Sequence, residues 1–275
     1  MHLTQIIKQK GKAFTLEFNP PKGWDLSKGL ESLKGIADFA DAINVTDMPG
    51  ANLKMSSWAA AILLKQAGFN PVVQYTCRDR NKLALIGDMY GLKAFGIENM
   101  LILGGDPIHI GDEPDANMVY DLGTIDLIKA SNEYLEDMCI GAAANPGADD
   151  LDKEIDRMKQ KAEAGAAFFQ TQAVFERDAF ARFMDKAHKM DIPILAGIIP
   201  LRSAKMAEFM NKNIPGIFVP DTLIERMNSA KDPVEEGKTI AVEIAKDVID
   251  LCQGLHFMPI RHIEVMQDIF PRLLD

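Results

Sequence analysis

The chain has 275 residues, 47% of them hydrophobic and 25% charged, with a formal net charge of −10. That balance supplies a sizeable core and excludes compositional disorder, while basic residues scattered among acidic ones without runs argue against a nucleic-acid partner. Cys77, Cys139 and Cys252 lie far apart with no paired spacing, so they read as inert thiols of a reducing compartment, with no metal or disulfide framework.

Residues 1–12 carry three lysines but no apolar leader core. No stretch approaches the ~18 apolar residues of a membrane span, and a cytoplasmic protein is expected. The first candidate strand, Phe14–Phe18, ends in Leu-Glu17-Phe-Asn-Pro-Pro. Glu17 is either a solvated, ion-paired carboxylate or, held among apolar neighbours before a rigid exit, a general acid. The second strand, Ala42–Val45, runs into Thr46, and the third, Pro71–Thr76, contains Gln74. After the third comes Cys77-Arg-Asp-Arg-Asn81, where Asp79 reads as a helix N-cap and the arginines as partners for a phosphate or carboxylate. Leu83, Ile86 and Tyr90 then mark the apolar stripe of the following helix.

The fourth strand, Asn99–Leu103, ends in Gly104-Gly105-Asp106-Pro107, either an ordinary turn or a close backbone approach to a ligand. The polar insertion from Gly104 to Asp115 reads as an active-site loop. The fifth strand, Met138–Ala143, precedes a helix with the stripe Leu151, Ile155, Met158 and Ala162. The sixth, Ala167–Gln172, places Gln170 and Gln172 on one side, so that one of them can fill a polar interior layer. The seventh, Ile192–Ile199, and the eighth, Gly254–Met258, flank a stripe of Ile240, Ile244, Val248 and Leu251.

Eight strands alternating with amphipathic helices give an α/β chain whose residues 1–275 form one domain, and polar and Gly/Pro residues at the strand ends favour a closed (β/α)8 TIM barrel over an open doubly wound sheet. Catalytic groups of such barrels project from strand C-termini. The residues therefore indicate a mouth holding Glu17, Thr46, Asp106 and Gln172, suited to a flat, nitrogen-rich ligand that they do not name.

Taken together, Leu-Glu17-Phe-Asn-Pro-Pro, Asn44-Val-Thr46, Tyr75-Thr-Cys-Arg-Asp79, Leu101-Ile-Leu-Gly-Gly-Asp106-Pro, Lys161-Ala-Glu-Ala-Gly-Ala with Thr171-Gln172, and Ala196-Gly-Ile-Ile-Pro200 occur in an order that resembles the methylenetetrahydrofolate reductase family. The resemblance implies a TIM barrel binding FAD, with FMN the alternative, and interconverting methylenetetrahydrofolate and methyltetrahydrofolate by hydride transfer at flavin N5. It implies catalytic roles for Glu17 as general acid, Asp106 beside pterin and flavin, and Gln172 at the stacked ligand. Thr46, Gln74, Gly104, Gly105, Asp106, Glu154 and Lys161 fall at flavin-contacting positions, and Gln172 and Phe209 at substrate-contacting ones.

The chain departs from the family pattern in carrying Gln74 for a histidine, Gly104 for an arginine, Glu154 for an aspartate, Ala144-Asn145-Pro146 for a tyrosine–proline segment and Arg261-His262 for Asn-Arg. These departures and the short N-terminus resemble the compact branch of anaerobes. There NAD(P)H or a partner flavoprotein or ferredoxin supplies electrons, a small zinc-containing companion subunit assists, and the chain is expected in an oligomer. The alternatives are a non-redox folate-binding accessory subunit and a pterin-dependent methyltransferase on the same barrel.

Overall fold

The computed structural model describes every residue except Ala37, Arg261 and Asp275, together with the side chain of Leu274, so the expected change at Arg261 lies outside the described residues. Eight strands, β1 Ala13–Phe18, β2 Ala42–Val45, β3 Pro71–Thr76, β4 Asn99–Leu103, β5 Cys139–Ala144, β6 Phe168–Ala173, β7 Ile194–Ile198 and β8 Gly254–Phe257, pair in parallel in chain order. β8 returns to β1, closing the barrel. The expected closed (β/α)8 architecture is what the chain adopts, with strand ends displaced by at most two residues.

The helices are α1 Leu3–Lys10, α2 Ser27–Lys34, α3 Ser57–Gln66, α4 Lys82–Ala94, α5 Thr124–Tyr134, α6 Leu151–Glu163, α7 Arg177–Ala187, α8 Ala204–Asn213, α9 Asp221–Ser229, α10 Pro233–Val248 and α11 Met266–Leu274. None is long and apolar enough to cross a membrane.

The two-residue period of the strands sorts their side chains into two cores. Leu16, Phe18, Ile43, Val45, Val73, Tyr75, Ile102 and Phe257 face outward into the cluster shared with the helices. Ala13, Ala42, Val72, Leu101, Cys139, Phe168 and Leu195, one from each of seven strands, face inward. α1 closes this floor from below with Leu3, Ile6 and Ile7. Gly141 keeps the interior passable for Phe168, because a Cβ there would lie 2.2 Å from that ring's Cζ. Above the apolar floor the same inward rows carry Thr15 and Glu17 on β1, Asn44 and then Thr46 on β2, Gln74 on β3, Gln170 on β6 and His256 on β8.

The stripes expected for α6 and α10 face the core, with Ile155, Met158, Ile240, Ile244 and Val248 buried. The stripe expected for α4 does not. Leu83 is 83% exposed and Tyr90 52% exposed, and the buried row is Leu85, Met89 and Leu92. Both rows satisfy helical spacing. Asn81, not the expected Asp79, is the N-cap, its side chain accepting from Ala84 N.

Candidate active site

Glu17 sits one inward step above Thr15, at the C-terminal end of β1, with its side chain 16% exposed. Burial pushes its carboxyl up from the ordinary 4.5 to about 7; hydrogen bonds from Gln74 and Asn19 oppose the shift, and the Asp106 charge adds to it. Gln74 Nε2 donates to Glu17 Oε2 at 3.4 Å, a long contact that leaves the carboxyl only loosely held. His256 Nε2 lies 4.0 Å from the same oxygen. Burial holds that imidazole neutral, its pKa brought down to about 3, so it brings a dipole to Glu17 and no positive charge. Asn19 also accepts from Thr46 Oγ1 at 3.1 Å, which ties the β1 and β2 exits together.

Asp106 reaches the mouth from the loop after β4, where its Oδ2 accepts from Gly50 N at 2.7 Å. Gly105 turns that loop at φ +89°, where a side chain is strained and a Cβ would sit 3.0 Å from Arg78 Cβ. A Cβ at Gly104, by contrast, would meet nothing within 4 Å, so this backbone borders open space. Arg78, 1% exposed, clamps Asp79 with two bonds of 2.6 and 2.7 Å and donates through Nη1 to Asp106 O at 2.8 Å. Arg80 pairs with Asp47 and lies 4.2 Å over the Tyr75 ring, while Asp47 Oδ2 also accepts from Thr76 N and Oγ1 at 2.9 Å each. The arginines expected to meet a phosphate or carboxylate thus meet carboxylates of the chain itself.

Gln172 lies within an irregularity in β6, where the register against β7 slips between Gln170 and Ala173. Thr171 bridges the slip, accepting from Gly197 N at 2.9 Å and donating to Gln172 O at 2.7 Å. Among the described residues no partner holds the Gln172 side-chain amide, whereas Gln170 is the one that fills the interior layer. A bulge of this kind beside a site re-aims a side chain that strict alternation would have fixed.

Glu17, Thr46, Gln74 and Asp106 therefore converge with Asn19 and His256. Glu154 and Lys161 stand apart, on α6. Buried Glu154 accepts from Asn145 N at 2.9 Å, and Lys161 donates to Ala143 O at 2.6 Å, so both brace the β5 exit. Burial brings the Lys161 ammonium below its usual range. Phe209, on α8, is 60% exposed.

A family model described as methylenetetrahydrofolate reductase matches residues 2–273. This chain belongs to the methylenetetrahydrofolate reductase family. Methylenetetrahydrofolate reductase 2 of Schizosaccharomyces pombe is 29% identical over 288 aligned residues, which take in 92% of this chain and 44% of the relative. The chain therefore spans less than half the length of that fungal relative. The 5,10-methylenetetrahydrofolate reductase of Buchnera aphidicola subsp. Schizaphis graminum is 24% identical, with 93% of this chain and 89% of the relative covered. An uncharacterized Clostridium thermocellum protein described as binding two copies of 5-methyl-5,6,7,8-tetrahydrofolic acid shares the fold. Its TM-score is 0.69 at 18% identity, covering 98% of this chain and 99% of that one.

Within this family member, His256 and Asn19 are the neighbours of Glu17 that motif reading passed over. The signal for His256 is a lone polar side chain in the otherwise apolar Gly254–Phe257 strand, in register with Thr15 and so facing inward. Asn19 carries no comparable signal, since an asparagine before two prolines reads equally as a turn residue.

Proposed function

We propose that this chain is a flavin-dependent methylenetetrahydrofolate reductase, interconverting 5,10-methylenetetrahydrofolate and 5-methyltetrahydrofolate. The observation that carries the reading is a carboxyl with its pKa near 7, that of Glu17, at the rim of a barrel whose family acts on this substrate.

Opening the five-membered ring of the methylene-folate needs a proton on a bridging nitrogen. Glu17 is poised to give that proton near neutral pH and to recover it in reverse. The carboxylate left behind accepts from Gln74 and Asn19. Asp106, with Oδ2 taken by Gly50, has Oδ1 free to accept from the amino-pyrimidine edge of a pterin. Gln172, with an unheld amide, is suited to donate to and accept from whichever heterocycle stacks at the mouth.

A flavin would lie against the open backbone of Gly104, beside the turn at Gly105, with the amide of Gln74 and the hydroxyl of Thr46 as neighbours. Glu154 and Lys161 shape the β5 exit that would border it. Bound flavin, FAD or FMN, supplies the hydride chemistry that no side chain provides. Phe209 is assigned to the pyridine-nucleotide contact. The electron donor on this reading is NAD(P)H or an electron-donating partner protein, with a zinc-containing companion subunit and oligomerisation as further parts of the proposal. Anaerobic flavin reduction by NADH, NADPH and reduced ferredoxin separates the donors.

Purification tests the reading. The protein is expected to be yellow and its flavin to be bleached by methyltetrahydrofolate under anaerobic conditions. A colourless protein that resists flavin reconstitution would instead favour a non-redox folate-binding barrel, the reading suggested by the Clostridium thermocellum fold relative described as binding two folates.

A further inference from the structure

Beneath Glu17 the barrel interior holds four buried polar side chains, His256, Thr15, Gln170 and Asn44, none more than 3% exposed. Asn44 Nδ2 donates to Gln170 Oε1 at 2.6 Å. Gln170 Nε2 donates in return to Asn44 Oδ1 at 3.2 Å and also to Thr15 Oγ1 at 3.1 Å. Thr15 Oγ1 lies 2.9 Å from His256 Nδ1, and His256 Nε2 faces Glu17.

An amide nitrogen only donates, so Thr15 accepts from Gln170, and sending its single proton to His256 Nδ1 lets the hydroxyl use its donor on its one other side-chain neighbour among the described residues. A neutral imidazole whose Nδ1 accepts carries its own proton on Nε2. Inverting the Asn44–Gln170 amide pair would reverse every donor, put the proton on Nδ1 and turn a lone pair toward Glu17. The amide pair is thus the element that sets which end of the histidine dipole the general acid meets.

We infer that Gln170 and Thr15 are positioning residues that fix His256 in its Nε2-protonated tautomer, turning an N–H toward Glu17 and favouring the carboxylate that remains after proton donation. The inference rests on the reading of Glu17 as the general acid. At 4.0 Å the contact is longer than a hydrogen bond, and it acts as a dipole on a charge across a gap in a low-dielectric interior. Gln74 faces Glu17 from β3, Asn19 from its own exit and Asp106 from the β4 loop. Asp25, Lys28 and Glu264 line the cavity of about 370 Å3 into which Glu17 opens. Any shift in pH dependence is read against these groups.

The test is nitrogen NMR of the full chain carrying 15N-histidine, which has only five imidazoles; His256 is assigned by its loss in His256→Asn. Wild type is expected to show this ring neutral and Nε2-protonated. Thr15→Val, a near-isostere without the hydroxyl, is expected to give mixed tautomers. It is also expected to move the alkaline fall in methylene-folate reduction upward by about half a pH unit or more. Thr15→Ser restores the hydroxyl and is expected to restore both readouts. Gln170→Glu replaces the donor with an acceptor and is expected to invert the tautomer.

Wild-type His256 protonated on Nδ1 would overturn the inference, as would Thr15→Val with an unchanged tautomer and profile. Should the Thr15 and Gln170 variants fail to fold, the wild-type spectrum, with His256 assigned by its loss in His256→Asn, decides. The spectrum needs no turnover. A wild type that binds flavin yet never reduces the folate removes the role of Glu17 and leaves the tautomer result standing.

Discussion

Glu17→Gln is expected to retain bound flavin and its reduction by the electron donor while losing at least about 100-fold of methylene-folate reduction, the lower range for removing a general acid. Glutamine keeps the volume and can still meet Gln74 and Asn19, so the loss isolates the proton. Stopped-flow measurement of the two half-reactions checks it, and retained folate turnover would remove Glu17 from the acid role.

The same substitution is expected to stabilise the fold at alkaline pH. Because the folded carboxyl sits near 7 against an ordinary 4.5, the folded state binds its proton more tightly than the unfolded chain does. The favourable contribution of that proton is fully present below about 4.5 and is lost as pH rises through about 7, a cost on the order of 3 kcal/mol as an upper bound. Glu17→Gln therefore raises the thermal midpoint at about pH 8 and leaves it nearly unchanged at about pH 4.5. Gained stability with lost turnover is the pattern of a site strained for function.

Gly237→Ala is the second large effect. Gly237 lies inside α10, where alanine would ordinarily gain about 1 kcal/mol from helix propensity. Its Cβ, however, would lie 1.6 Å from Leu201 O, a backbone atom just beyond β7 that has no rotamer with which to move aside. Separating the helix from the barrel outweighs the propensity gain, for a net loss of roughly 2–3 kcal/mol. A fall of roughly 3–5 °C in the thermal midpoint is expected for a chain of this size. A midpoint that stays or rises would show that α10 does not pack against the β7 exit at this distance.

Strands were more legible than helix faces. Most strands are bounded within two residues by Gly, Pro or charged residues and their alternation admits only two faces, so Glu17 and Thr46 could be placed at the mouth from the residues alone, while Gln74 was marked only by the family resemblance. The α4 face was not legible, since Leu83–Ile86–Tyr90 and Leu85–Met89–Leu92 both fit helical spacing and the choice between them is made by tertiary packing, which buries the second row. Gln172 was legible as a polar residue on the inner side, but the slip that frees its amide depends on Thr171 bonding across to Gly197. Asp106 announced itself through paired glycines, while the arginine that holds its main chain comes from a different strand exit. Glu154 and Lys161 show the converse limit, since the family resemblance implies flavin contacts for them and the fold gives each a bond to the β5 exit.

The central claim is that Glu17, proton-bearing up to about pH 7, delivers the proton that opens the folate ring. The most direct measurement is the single-turnover rate at which methylenetetrahydrofolate reoxidises the reduced flavoprotein, followed from about pH 5 to about pH 9. The rate is expected to hold on the acid side and to fall about tenfold per pH unit above about 7. A rate that stays level or rises across that range would contradict the account.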